Sequence, residues 1–373
     1  MTGKSNETVS LEQFSVDWTV MPKPKPDLDD SFFRLSPERV LQAVEAAGLE
    51  PTGHCTALNA LENRVYDLRL EGGAHVVVKF YRPARWSREA ILDEHRMLFA
   101  LREAEIPVCS PLLLPDGETL HEVEGIFHAV WPRTGGRAPD ELCDAEIEVL
   151  GRLLARIHNV GSATSLLHRP VLTPEAFPLA ALQSLEEGDF LPPSCARLYR
   201  QCVEEIVRVY QQRAAGVSLH PIHGDCHAGN LLRGDDGWFF LDFDDMLVGP
   251  AVQDVWMLLP GRDAIASRQR ARLISAYREF RDFDSRSLAL VEPLRGFRFV
   301  WYAGWIARRW DDPAFPDAFP HFGTEQYWET ETRDLAEQVE RIQRGDDPEA
   351  EGGDRAQPRE EQELTNEDFF WDL

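Results

Sequence analysis

The chain has 373 residues, 43% of them hydrophobic, and a formal net charge of −25. That composition supports about two domains with packed cores, and no apolar run approaches the ~18 residues of a membrane-spanning helix. The acidic excess repels phosphate backbones, which disfavours nucleic acid as a partner and requires any nucleotide cleft to be locally basic or supplied with a cation.

Residues 1–30 read as a flexible arm, because proline alternates with other residues from Met21 to Pro26 and forbids regular structure. Lys4, Asn6, Glu7 and Glu12 leave no apolar stretch for a secretory signal. Six scattered cysteines include no Cys-x-x-Cys pair, so a reduced, cytoplasmic setting is expected. Ser36 and Pro37 mark a helix start, Val40, Leu41, Val44 and Ala47 form its apolar stripe, and Gly48 stops it. Strands are expected at 65–70 and 75–80, joined by Glu71-Gly72-Gly73-Ala74. Ser87 opens a helix reaching about Ala104, and further strands are expected at 111–114 and 125–131 around an Asp116-Gly117 turn. Residues 31–131 thus form a small sheet with a helix against it.

Residues 132–138, with Pro132, Gly135 and Gly136, read as a linker. Helical periodicity then dominates 139–344, with amphipathic stretches at about 139–158 and 194–213. The expected fold class is α+β: a two-lobed, protein-kinase-like architecture with a small antiparallel N-lobe and a larger helical C-lobe. A cleft between such lobes is a natural nucleotide site. From 345 to 373 there are eleven Asp/Glu against Arg355 and Arg359, which reads as a disordered acidic tail. Its aromatic end, Phe369-Phe370-Trp371, fits either a docking peptide for a partner or a solvated tail.

The chemistry concentrates in His223-Gly224-Asp225-Cys226-His227-Ala228-Gly229-Asn230 and Leu241-Asp242-Phe243-Asp244. Phosphoryl transfer needs a carboxylate to accept the acceptor hydroxyl's proton and oxygen ligands for Mg²⁺. Asp225 suits the first role, and Asn230 and Asp242 suit the second. The protein-kinase pattern has Asn five residues after the catalytic Asp, then Asp-Phe-Gly; here the spacing holds, with Gly224 in place of Arg and Asp244 in place of Gly. A turn rich in Asp and Asn is one alternative. A metallohydrolase set of His223, Asp225 and His227 on one strand face is another, although the glycines favour a loop and the set ignores Asn230 and Asp242.

Lys79 ends the run Val76-Val77-Val78 and could point at the α/β-phosphates. Glu94 shares an apolar helix face with Ile91, Leu98 and Leu101, where a carboxylate needs a partner. A Lys79–Glu94 ion pair would satisfy both. No Gly-x-Gly-x-x-Gly or Walker sequence occurs; backbone N–H groups from Leu58 to Tyr66 could contact phosphate, and a simple strand-entry loop is the equal alternative. Asp254 could cap a helix or brace the catalytic loop. The aromatic segment 293–310 reads as core; its Arg295, Arg298, Arg308 and Arg309 could line an acidic-substrate or phosphate site, with ion-paired or solvated arginines the preferred reading.

With these residues in hand, the chain resembles the aminoglycoside phosphotransferase/choline kinase-like superfamily, and within it the bacterial serine/threonine protein kinases. The segments carrying the likeness are 58–66, 77–83 with Trp86, 223–230, 249–259 and 309–316, within about 33–335. The resemblance implies ATP, Mg²⁺ and a cytoplasmic setting. It implies Asp225 as proton acceptor, Asn230 and Asp242 as magnesium ligands, and Asp242 as a second essential acid. Lys79, Glu94 and Ala60 are implied on the ATP side; at Ala60, where the family often has serine, only backbone contact remains. A protein Ser/Thr acceptor follows from the resemblance alone. A small-molecule kinase for an amino sugar or amino alcohol, and a nucleotide-binding module without turnover, are the competing readings.

Overall fold

The computed structural model describes residues 31–235 and 237–345. The N-terminal part is a five-stranded antiparallel sheet built from β1 (Pro51–Leu58), β2 (Arg64–Leu70), β3 (His75–Phe80), β4 (His121–Val123) and β5 (Ile126–Pro132), in the order β1-β2-β3-β5-β4. Alternation along β3 sends Val76 and Val78 to one face, where they join Val40, Ala43 and Val44 of α1 (Pro37–Ala46). The other face takes Lys79 towards α2 (Arg88–Glu103), whose Ala90 and Ile91 pack with Tyr81, Ala129 and Trp131. Both helices start where expected, with Ser36 and Ser87 accepting hydrogen bonds from Arg39 N and Ala90 N.

Three expectations are corrected. The strand β1 was not anticipated, because its residues are exposed or half-buried without a readable alternation. Residues 111–114 are not a strand: Pro111 has no N–H to donate, and Leu114 N turns back to Glu118 O around the Asp116-Gly117 turn. The helix expected from about 139 begins at Asp144, where the Cys143 backbone N–H donates to Glu146.

That helix, α3 (Asp144–Ala163), opens the helical part with α4 (Ala180–Glu187), α5 (Pro193–Arg213), α6 (Val252–Leu258), α7 (Ala264–Tyr277), α8 (Val291–Ala307), α9 (Ala314–Ala318) and α10 (Glu325–Arg344). Its core is continuous, from Leu150 and Leu154 through Tyr199 and Ile206 to Val300 and Trp328. Segment 293–310 is mostly core as read, with Phe297, Phe299, Tyr302 and Trp305 buried. The linker region is tied down: Arg137 and Arg233 exchange backbone hydrogen bonds of 3.0 and 2.8 Å. The expected N-terminal arm, and the tail beyond Gly345, lie outside the described residues.

Two short strand pairs sit between sheet and helices. In one, β6 (His220–Ile222) pairs with β9 (Leu247–Gly249); the other is the hairpin β7 (Leu231–Gly234) and β8 (Gly237–Phe240). They set the loops 223–230 and 241–246 side by side.

One buried histidine makes the sheet pH-sensitive. His128 stacks on Phe80 with ring centroids 5.1 Å apart, and burial, aided by the charge of His121, pushes its pKa down to about 4. The unfolded chain therefore takes up this proton first as pH falls, so stability is intact above ~6.5 and drains away towards pH 4, by up to about 3 kcal/mol. His128→Phe keeps the stacking and removes the titration. Denaturant midpoints at pH 7 and pH 4.5 should differ less for the variant than for the wild type; an equal loss would clear His128 of this role.

Candidate active site

Register fixes the sheet's contribution. Leu58 pairs with Val65, and Val65 with Lys79, so the β1–β2 loop, which carries Ala60, lies at the Lys79 end of the sheet. Lys79 Nζ is 3.1 Å from Asp242 Oδ1, 3.4 Å from Asp244 Oδ1 and 3.9 Å from Glu94 Oε1. The expected Lys79–Glu94 pair is thus present, but as the longest of three contacts. Burial works against the Lys79 charge, yet Asp242, Asp244 and Glu94 together hold its pKa above the ordinary lysine value. Burial pushes the Glu94 carboxyl up, against the pull of Lys79.

Asp242 is in the left-handed backbone region, at φ 49° and ψ 72°, which costs a non-glycine residue about 1 kcal/mol. Its side chain stays 52% exposed, whereas Asp244 is buried and bound by Asn63 Nδ2 at 2.9 Å and Arg85 at 2.5 Å. Leu241 N donates to Asn230 O at 2.9 Å, continuing the β7–β8 register by one pair. That bond brings Asn230 and Asp242 to the same end of the hairpin.

Asp225 lies in the preceding loop. Its Oδ1 is 2.8 Å from Arg298 of α8. Its Oδ2 has only longer contacts, 3.4 Å each, to His227 Nε2 and Asn230 Nδ2. Asn230 Nδ2 donates to the Asp225 backbone carbonyl at 2.9 Å. Burial opposes the Asp225 charge, but Arg298, then His227, outweigh it and hold the carboxyl well below the usual range. Gly224 has φ +84°, and a Cβ there would lie 2.3 Å from Asp245 O, so the arginine of the protein-kinase pattern has no room at this position.

Asp254 is a brace rather than a helix cap. Fully buried, it accepts from His223 N at 2.8 Å and Gly224 N at 2.9 Å, with His158 Nε2 at 3.0 Å. Asp254→Ala would orphan two buried backbone donors and is expected to cost about 3 kcal/mol. A lowered denaturation midpoint together with reduced kcat checks this; unchanged stability would remove the brace. The metallohydrolase set does not assemble: β6 ends at Ile222, His223 Nε2 is bonded to Leu241 O at 2.7 Å, and among the described residues no three His, Cys, Asp or Glu groups converge on a metal position.

Sequence reading missed several members. Arg85 binds both Asp244 and Asp245 at 2.5 Å. Glu62 receives Trp305 Nε1 at 2.5 Å and Arg309 at 2.6 Å, and Arg82 reaches Asp312 at 2.7 Å. One connected charged network therefore fastens the sheet to the helical part, since Glu62 also lies 3.3 Å from Arg82 and 3.5 Å from Arg85. An arginine-rich stretch after Phe80 was the available signal, but nothing local named the partners.

With this geometry in place, comparison with known proteins is direct. The sequence profile of the phosphotransferase enzyme family matches residues 54–291. The chain belongs to that family. This phosphotransferase is 37% identical to stress response kinase A of Escherichia coli K12 over 314 residues, covering 84% of this chain and 95% of that one. It is equally 37% identical, over 311 residues, to serine/threonine protein kinase RdoA of Salmonella typhimurium, with 83% and 94% covered. A solved amicoumacin kinase, in complex with AMP-PNP, Ca²⁺ and Ami, superposes with a TM-score of 0.62 at 20% identity over 82% of this phosphotransferase and 93% of that chain, which establishes a common fold. The phosphotransferase is a kinase acting on a hydroxyl acceptor, and no helix among its described residues is long and apolar enough to cross a membrane.

Proposed function

We propose that the chain is an ATP- and Mg²⁺-dependent serine/threonine protein kinase working in the cytoplasm under stress. What supports this reading is that Lys79 lies 3.1 Å from Asp242 and Asn230 3.4 Å from Asp225, while the Leu241 N to Asn230 O bond holds the two pairs at one end of the hairpin. Asn230 spends its amide N–H on Asp225 and keeps Oδ1 as an acceptor, while Asp242 is half exposed. Two hard protein oxygens suit Mg²⁺, which takes its remaining ligands from phosphate and water. Once bound, the cation supplies charge neutralisation at the transferring phosphate.

The protein side chains do the rest. Lys79 turns from the carboxylates to the α/β-phosphates, with Glu94 steadying it, and the β1–β2 loop at Ala60 offers backbone N–H groups. Asp225 stays ionised at working pH. Its Oδ1 is fixed by Arg298, so the loosely held Oδ2 receives the acceptor hydroxyl and takes its proton late in transfer. A weak base suffices, because the transition state is loose and asks mainly for alignment.

A protein acceptor is supported by the 37% identity to serine/threonine kinase relatives, whose names also motivate the stress role. All six cysteines are free thiols, consistent with a reducing compartment. The test is labelled ATP with Mg²⁺, a generic protein acceptor and a panel of amino sugars and amino alcohols. Label on protein supports the proposal; label only on a small molecule moves the assignment to the alternative kinase class; nucleotide binding without transfer leaves a silent module.

A further inference from the structure

A cavity of about 1360 Å³ opens beside the catalytic loop, with Gly224, Asp245 and Arg298 in its wall. Farther out it is lined by Arg308, Arg309, Phe177, Phe190, Trp301 and Trp310. The wall also carries Glu187, Asp245, Asp311 and Asp312, so its basic contribution rests on Arg308, which beside the aromatic side chains suits a ligand that is both acidic and aromatic. Arg309 is engaged by Glu62, whereas no ion pair is found for Arg308 among the described residues. Desolvation and the neighbouring Arg309 lower the Arg308 pKa to about 9; since the residue remains exposed, the like charge is the part that matters, and an anion would relieve it.

The chain itself carries such a ligand. Residues 360–373 read Glu-Glu-Gln-Glu-Leu-Thr-Asn-Glu-Asp-Phe-Phe-Trp-Asp-Leu, with six acids, three consecutive aromatics and no basic residue. Thr365 is the sole hydroxyl-bearing side chain from 346 to 373. The reach is sufficient. The start of α10 lies against the cavity wall through Phe322, whose ring is 5.0 Å from both Trp310 and Tyr327. The helix carries the chain about 30 Å away, and the twenty residues from Gly345 to Thr365 span up to about 65 Å when extended.

The geometry points to the acidic segment 360–373 of this same chain as an occupant of the cavity, with Phe369, Phe370 and Trp371 among its aromatics and Thr365 brought to Asp225 for phosphorylation in cis. The chemical step rests on the kinase reading above; the docking does not. Thr365 Oγ bonds to the γ-phosphorus of ATP, the bond from that phosphorus to the β–γ bridging oxygen breaks, the hydroxyl proton passes to Asp225, and ADP departs. Tethering gives the segment an effective concentration of order millimolar, so it competes with any external acceptor.

The experiment mixes the active full-length chain with an isotopically heavy full-length Asp225→Ala chain, adds ATP and Mg²⁺, and maps phosphate by mass. The expected result is phospho-Thr365 on the light chain alone, with a rate constant unchanged on roughly 100-fold dilution. Arg308→Glu should slow it about tenfold. Phosphate on the heavy chain in proportion to concentration overturns the proposal in favour of a second copy's tail. ATP turnover or transfer to a generic acceptor with Thr365 unmodified overturns it while leaving the kinase reading intact. If no preparation turns over ATP, the kinase reading fails and docking is decided by hydrogen exchange. Segments 176–190 and 307–313 should then exchange more slowly in the full chain than in its Phe369→Ala/Phe370→Ala/Trp371→Ala variant, and equal rates overturn the docking.

Discussion

Replacing Asp225 with alanine is expected to lower kcat by about 10³-fold while leaving ATP affinity nearly unchanged. The carboxylate touches no part of the Lys79 cluster directly; its partners are Arg298, His227 and Asn230. Nucleotide binding, which the proposed function assigns to Lys79 and Asp242, should therefore survive. Alanine also strips Arg298 of its anion, so Asp225→Asn is the sharper variant: it keeps an acceptor for Arg298 and deletes only the proton-accepting charge. Single-turnover transfer measured beside calorimetric ATP binding separates these effects. Activity within tenfold of wild type in the asparagine variant would end the proton-acceptor assignment.

The second large effect belongs to Asp242→Asn. This change removes the nearest carboxylate charge to Lys79, at 3.1 Å, and leaves a neutral amide oxygen where an anionic one was offered to the cation. ATP affinity in Mg²⁺ should fall by about 100-fold, since even loss of a supporting partner around a metal costs 10–100-fold. ATP affinity in EDTA should hold steady or improve, because a negative charge facing phosphate has gone. That opposite response is the diagnostic. Equal losses with and without Mg²⁺ would mean that Asp242 shapes the loop instead of binding the ion.

The chemistry-bearing skeleton was readable because it is local. The five-residue step from Asp225 to Asn230 and the hairpin spacer before Asp242 survive as sequence spacing. The Glu94 position is given by helix periodicity, and Lys79 by a strand end. What escaped reading is what depends on distant encounters. Asp244 meets Asn63 across 181 positions and Arg85 across 159, and no window of sequence holds both partners. Arg298 was weighed as one of several arginines on an aromatic helix; only the packing of α8 against the catalytic loop selects it. The strand β1 was missed because an exposed edge leaves little hydrophobic trace, and 111–114 was mistaken for a strand because an apolar run after proline looks the same whether it pairs along its length or only at Leu112, whose N–H donates to Val130 O at 2.7 Å.

The clasp around Glu62 has a consequence for turnover. The β1–β2 loop is hung from α8 through Arg309 and Trp305, while Arg64 and Arg82 anchor the same edge to Asp312 at 3.0 and 2.7 Å. On the kinase reading proposed above, parting of the two halves for nucleotide exchange is expected to break these contacts, so product release should follow the rate of that parting. Because these groups are buried or half-buried, added salt reaches them poorly, and warming rather than ionic strength should set the pace of release.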